Sequence, residues 1–187
     1  LIGWPRGINE GLLTIKKMSN SLRHRGPDDN GIWKDDNGEI FLGHNRLSIL
    51  DLSKNGKQPM FSHCKMYAIT FNGEIYNHIK IRRLLDLQNK IPWRGSSDTE
   101  TLLESISTFG LDKTLKMIRG MFSFCLFDKK NGSVFLVRDR HGEKPLYFIN
   151  LKNHFYAFAS EISSFYNISD FTPKINKKGL SCYFKRG

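Results

Sequence analysis

The sequence predicts an α+β domain of layered antiparallel sheets with helices outside. Two observations carry this. The first half alternates amphipathic helical stretches with short strands, and residues 121–160 then read as four successive strands. A third observation bounds the size: 187 residues, 39% hydrophobic and 25% charged, make one ordinary globular domain.

The elements follow in order. Ile8, Leu12, Ile15, Met18 and Leu22 recur at helical spacing, with Asn9 as the expected N-cap. Ile32–Trp33 and Glu39–His44 read as strands joined by the turn Asp36-Asn37-Gly38. Met66–Phe71 is a short apolar strand. Asn77 is expected to cap a helix to about Leu87, with Ile81, Leu84 and Leu85 inside. Ser97-Asp98-Thr99-Glu100 fits a capping box, and the helix after it places Leu102, Leu103, Ile106 and Phe109 on one stripe. A shorter helix follows at about Asp112–Ile118. Met121–Phe127, Ser133–Asp139, Pro145–Ile149 and Phe155–Ser160 are the four strands. Lys130-Asn131-Gly132 and Lys152-Asn153 supply two turns between them. Residues 1–170 are read as one domain, and 171–187 as the first turns of a following one.

Composition excludes several classes. No run of about 18 apolar residues spans a membrane, and the N-terminal residues lack a secretory signal. Cys64, Cys125 and Cys182 show neither a disulfide framework nor zinc-ligand spacing, so no metal site is expected and the compartment is read as cytoplasmic. The net charge of +11 is dispersed over separate elements, which argues for a solvated surface rather than a nucleic-acid interface.

Four polar segments stand where apolar residues or plain turns would otherwise suffice: Arg23–Asp29, Gly43–Asp51, Phe71–Asn77 and Ser97–Glu100. Together they suit a small zwitterion. Arg46 can hold an α-carboxylate, and Glu74 and Asp98 an α-ammonium. Asn72-Gly73 offers a side-chain amide and an unobstructed backbone N–H in one turn, as an oxyanion hole requires. Each also has a plainer reading: a surface ion pair for Arg46, an ordinary turn for Asn72-Gly73, a helix-dipole partner for Asp98, and a basic helix end for Arg23-His24-Arg25.

In this order the segments resemble the class II glutamine amidotransferases, most closely the N-terminal domain of asparagine synthetases. The likeness rests on Arg23-His24-Arg25-Gly26-Pro27-Asp28, His44-Asn45-Arg46-Leu47-Ser48-Ile49, Gln58-Pro59, Asn72-Gly73-Glu74-Ile75-Tyr76-Asn77, Ser97-Asp98-Thr99-Glu100, Gly120–Phe124, Arg138–Tyr147 and Ala159-Ser160-Glu161-Ile162. The resemblance implies the four-layer αββα sandwich of the N-terminal-nucleophile hydrolases. It implies a first-residue cysteine that attacks the glutamine side-chain amide, with its own α-amino group as base. Arg46 would then bind the substrate carboxylate, and Leu47, Ser48, Ile49 and Leu50 would line the pocket. Asn72 and Gly73 would form the oxyanion hole, Glu74 and Asp98 would hold the ammonium, and Arg25 would position the nucleophile's loop.

The family opens with Cys-Gly-Ile, whereas this chain opens with Leu1-Ile2-Gly3. The nucleophile is therefore expected about four to six residues upstream, and the chain by itself is expected to be inactive. No cofactor is expected in this domain. The resemblance places ATP and magnesium in a missing C-terminal synthetase domain that would use the ammonia. Glutamine and that domain are the expected partners, with a homodimer as a candidate assembly. The alternative is a catalytically dead glutamine-binding or scaffold domain.

Overall fold

The computed structural model describes residues 1–48, 51, 53–151 and 155–186, the side chain of Arg186 excepted. Strands β3 (Met60–Phe61), β4 (Tyr67–Ile75), β5 (Gly120–Asp128) and β6 (Ser133–Arg138) form one antiparallel sheet in that order. A second layer holds the hairpins β1 (Asp29–Lys34)–β2 (Phe41–Arg46) and β7 (Tyr147–Asn150)–β8 (Tyr156–Ala159). Ile2 joins them, bridging Ile40 on one side and Tyr156 on the other, antiparallel to both.

Three apolar clusters define four layers. Ile69, Phe71, Phe124 and Leu126 pack beneath α2 (His78–Gln88), α3 (Asp98–Phe109) and α4 (Leu111–Met117). Leu42, Ala68, Cys125 and Phe127 fill the space between the sheets. Phe41, Phe155 and Ala157 pack against Ile15 and Met18 of α1 (Ile8–Ser21) and Phe165 of a 3₁₀ turn. Each sheet therefore has a helical layer outside and the other sheet inside, the αββα sandwich. The apolar run in β5 is explained by burial on both faces.

Local chemistry moved several boundaries. The N-cap of α1 is Gly7, not Asn9, because Gly7 adopts φ 82° and turns the chain into the helix. Asn77 holds the N-cap position of α2, as expected, but makes no side-chain cap bond. Its side chain instead donates to Met117 O at 3.0 Å and accepts from Arg119 N at 2.8 Å, tying α2 to the start of β5. Leu84 is 40% exposed, while Ile81 and Leu85 alone carry the inner face of α2. The capping box is half made: Ser97 Oγ accepts from Glu100 N at 3.2 Å, but the Glu100 carboxylate turns to Arg94 and Gly95. The turn Lys152-Asn153 lies outside the described residues. Short β3 and the 3₁₀ turn Ile162–Asn167 were not anticipated. Exposed α5 (Lys177–Arg186) ends the chain.

Candidate active site

Strand β4 runs further than its apolar residues suggest. Asn72, Gly73 and Glu74 lie in the strand, opposite Ser123, Phe122 and Met121, and not in a turn. Glycine makes this close approach feasible: a Cβ at Gly73 would lie 2.2 Å from Met121 O. Tyr76 N bonds Arg119 O in the ladder with β5, so the two-residue alternation directs the N–H groups of residues 71, 73 and 75 to the opposite edge. There Phe71 N donates to Gln58 Oε1 at 2.6 Å and Ile75 N to Asp98 Oδ2 at 2.8 Å. Between these two pins the Gly73 N–H points into a cavity of about 270 Å³. The Asn72 side chain lines the same cavity, and its Nδ2 is buried without a hydrogen-bond partner among the described residues.

The other expected groups converge here. Arg25, Arg46, Leu47, Ser48, Glu74 and Asp98 all line this cavity. Ile49 and Leu50 lie outside the described residues. Arg46 is buried at the end of β2, donating from Nη1 to Ser53 O at 2.8 Å and from Nη2 to Asp51 O. A Cβ at Gly56 would meet the Arg46 guanidinium, so that glycine shapes its seat. A guanidinium has five donors, and these two bonds orient it while leaving others for an anion.

Asp98 opens α3. Burial raises its pKa above the ordinary carboxylate value, although Ile75 and Thr99 N–H groups pull the other way. A buried carboxylate of this kind gains from a cation beside it. The Glu74 carboxylate has no hydrogen bond or ion pair among the described residues. Arg25 sits in a 3₁₀ turn after α1 and donates to Glu161 Oε1 at 2.9 Å, which ties two of the sequence motifs together.

The supports came less readily from sequence. Gln58 uses both ends of its amide on one residue, accepting from Phe71 N and donating to Phe71 O at 3.2 Å. It acts as a one-residue strand neighbour just before Asn72. Asp51 accepts from Ser53 N and Ser96 N, linking the Arg46 loop to the start of α3. Glu100 is 1% exposed and gathers Arg94 and the N–H of Gly95. Arg82 reaches it at 3.6 Å while lying 4.0 Å over the Trp93 ring. Asp139 accepts from Phe122, His141, Glu143 and Lys144 N–H groups. That folds the segment after β6 so that Lys144 lines the cavity.

A second cavity, of about 140 Å³, continues inward between the sheets and shares Arg25, His44, Asn45, Phe71 and Asn72 with the first. Cys125 lines it, but burial pushes that thiol up to about 12. Cys64 and Cys182 are exposed and line neither cavity. Among the described residues no group of three or more His, Cys, Asp or Glu could hold a metal ion, and no helix is long and apolar enough to cross a membrane.

Comparison with known proteins bears on this arrangement. A Methanocaldococcus jannaschii protein whose name places it with the glutamine-hydrolysing asparagine synthetases is 38% identical over 191 residues, covering 92% of this chain and 36% of the relative. Glutamine-hydrolysing asparagine synthetase 1 of Bacillus subtilis is 37% identical over 169 residues, covering 90% of this chain and 26% of its own length. The chain thus spans about a quarter to a third of the length of these curated relatives. Among solved structures, glutamine phosphoribosylpyrophosphate amidotransferase from B. subtilis superposes with a TM-score of 0.69 at 23% identity, over 81% of this chain and 40% of that one. That likeness shows a shared fold. The family model described as a glutamine amidotransferase domain matches residues 1–187, and the chain belongs to that family.

Proposed function

We propose that the outer cavity binds L-glutamine and that the longer protein containing this domain hydrolyses its side-chain amide to glutamate and ammonia. Arg46 takes the α-carboxylate, Glu74 and Asp98 take the α-ammonium, and Leu47 and Ser48 flank the chain of the substrate. Asn72 Nδ2 and Gly73 N–H receive the carbonyl oxygen as it becomes an oxyanion. The observation that carries this reading is the pairing of two donors, a buried unpartnered amide nitrogen and an edge N–H, in one cavity that Arg46, Glu74 and Asp98 also line. Buried donors without partners are rare, and each calls for an acceptor.

The register also supports the place of the nucleophile. Leu1 bonds Phe41 in both directions, and Ile2 does the same with Tyr156. In a longer chain, residues before Leu1 would continue antiparallel to β2 and β8, between Gly43–Asn45 and Phe158–Ser160. Those residues line the inner cavity. Since Leu1 lies opposite Phe41 and one residue advances the pairing by one, about four residues would reach the level of Asn45, where both cavities meet. A cysteine there would attack the carboxamide carbon. The C–N bond breaks, ammonia leaves with a proton from the cysteine's α-amine, and water cleaves the thioester to glutamate. Arg25 positions that segment through its link to Glu161. The ammonia then serves an ATP- and magnesium-dependent amidation of aspartate in the remainder of the longer protein.

In that longer protein, Asn72→Ala should lower kcat for glutamate release about 10²- to 10³-fold, the cost of losing one oxyanion donor. Its unfolding midpoint should stay the same or rise, because an unpaired buried group is removed. Unchanged kcat would refute the assignment of the oxyanion hole.

A further inference from the structure

His44 lines both cavities. Its Nε2 lies 3.1 Å from Phe71 O. A carbonyl oxygen only accepts, so Nε2 carries the proton and donates. Burial and the nearby Arg46 depress its pKa to about 4, although the Phe71 bond and Asp29 oppose this, and the ring is neutral at physiological pH. Nδ1 is then a bare acceptor, and it is buried with no partner among the described residues. Asn72 Nδ2 is the complementary case, a buried donor without a partner. Both residues line both cavities, and His44 is bonded to the residue immediately before Asn72. An orphaned acceptor and an orphaned donor on residues lining the same cavities match a primary carboxamide, which offers N–H and C=O from one carbon. A carboxylate offers only lone pairs and would face Nδ1 with repulsion.

We propose that His44 is a specificity residue whose Nδ1 accepts from the carboxamide N–H₂ while Asn72 donates to the carboxamide oxygen, so that the site takes an amide and rejects the acid product. This deepens the glutamine reading and rests on it. A site built to bond an N–H discriminates strongly against analogues that lack one.

The test uses the longer protein with its upstream cysteine and two substrates, L-glutamine and L-glutamate γ-methyl ester, which has no N–H on the reacting group. His44→Leu should lower the amide-to-ester ratio of kcat/KM about 10- to 100-fold. His44→Asn, which restores an acceptor, should recover part of that ratio and guards against a folding failure of the leucine variant. Equal losses on both substrates in both variants, or no loss on either, would overturn the proposal while leaving the glutamine reading intact. Wild-type protein inert towards both substrates would overturn both.

Discussion

A methyl group added at Gly73 would sit 2.2 Å from Met121 O and 2.7 Å from Phe122 Cα. Those are backbone atoms of a central strand and cannot step aside. Gly73→Ala should therefore cost roughly 2–4 kcal/mol in urea unfolding, at the upper end for single substitutions. Asp98 behaves oppositely. Its folded pKa is raised, so its contribution favours the fold below the unfolded value of about 3.9 and is lost as pH rises through the folded value. At pH 7 the ionised Asp98 is a local cost. Asp98→Asn keeps an acceptor for Ile75 N–H, so it should raise the melting temperature at pH 7 while weakening glutamine binding; calorimetry of both quantities checks this. At this scale the residue types were legible from sequence, because an arginine, two carboxylates and an amide-glycine pair announce their chemistry. Gln58 and His44 lie within the motifs, yet their residue types alone announce no role. Their significance lies in bonds to Phe71, 13 and 27 positions away, which no local pattern encodes.

Among the elements, the segment after β6 shows how one side chain can organise a loop. Asp139 is 7% exposed and, against the upward pull of burial, four backbone N–H groups hold its pKa down at about 2. Its unfolded value is about 3.9. Its stabilisation is therefore full above that value and is lost as pH falls from about 4 towards 2. Asp139→Asn would turn an N–H₂ towards two of those donors and should cost about 2–4 kcal/mol at pH 7. Acid titrations followed by circular dichroism should show the wild-type advantage shrinking below pH 4. Helix and strand identities were read correctly where periodicity was long, as in α3 and β5. They failed where polar function interrupts the pattern: β4 looked as if it stopped at Phe71 because Asn72-Gly73-Glu74 resembles a turn. The strand persists because Gly73 fits against β5 and Gln58 and Asp98 replace a neighbouring strand.

On the scale of the molecule, the order of layers follows from which strands are apolar on one face or two. Their assembly into two sheets was supplied by the family resemblance, since strand pairing between residues as distant as Ile2 and Tyr156 leaves no periodic trace. The same pairing makes the central claim concrete. It aligns the β2 and β8 edges so that chain preceding Leu1 would run past His44 and Asn45 to the donors of Asn72 and Gly73.

The most direct test is glutamate release from glutamine, measured side by side for the 187-residue chain, for the same chain extended upstream in its reading frame, and for the extended chain with its upstream cysteine changed to alanine. The account predicts release from the extended chain alone. Release from the 187-residue chain, or equal release after the cysteine is changed, would contradict it, as would an extended, folded chain that binds glutamine and leaves it intact.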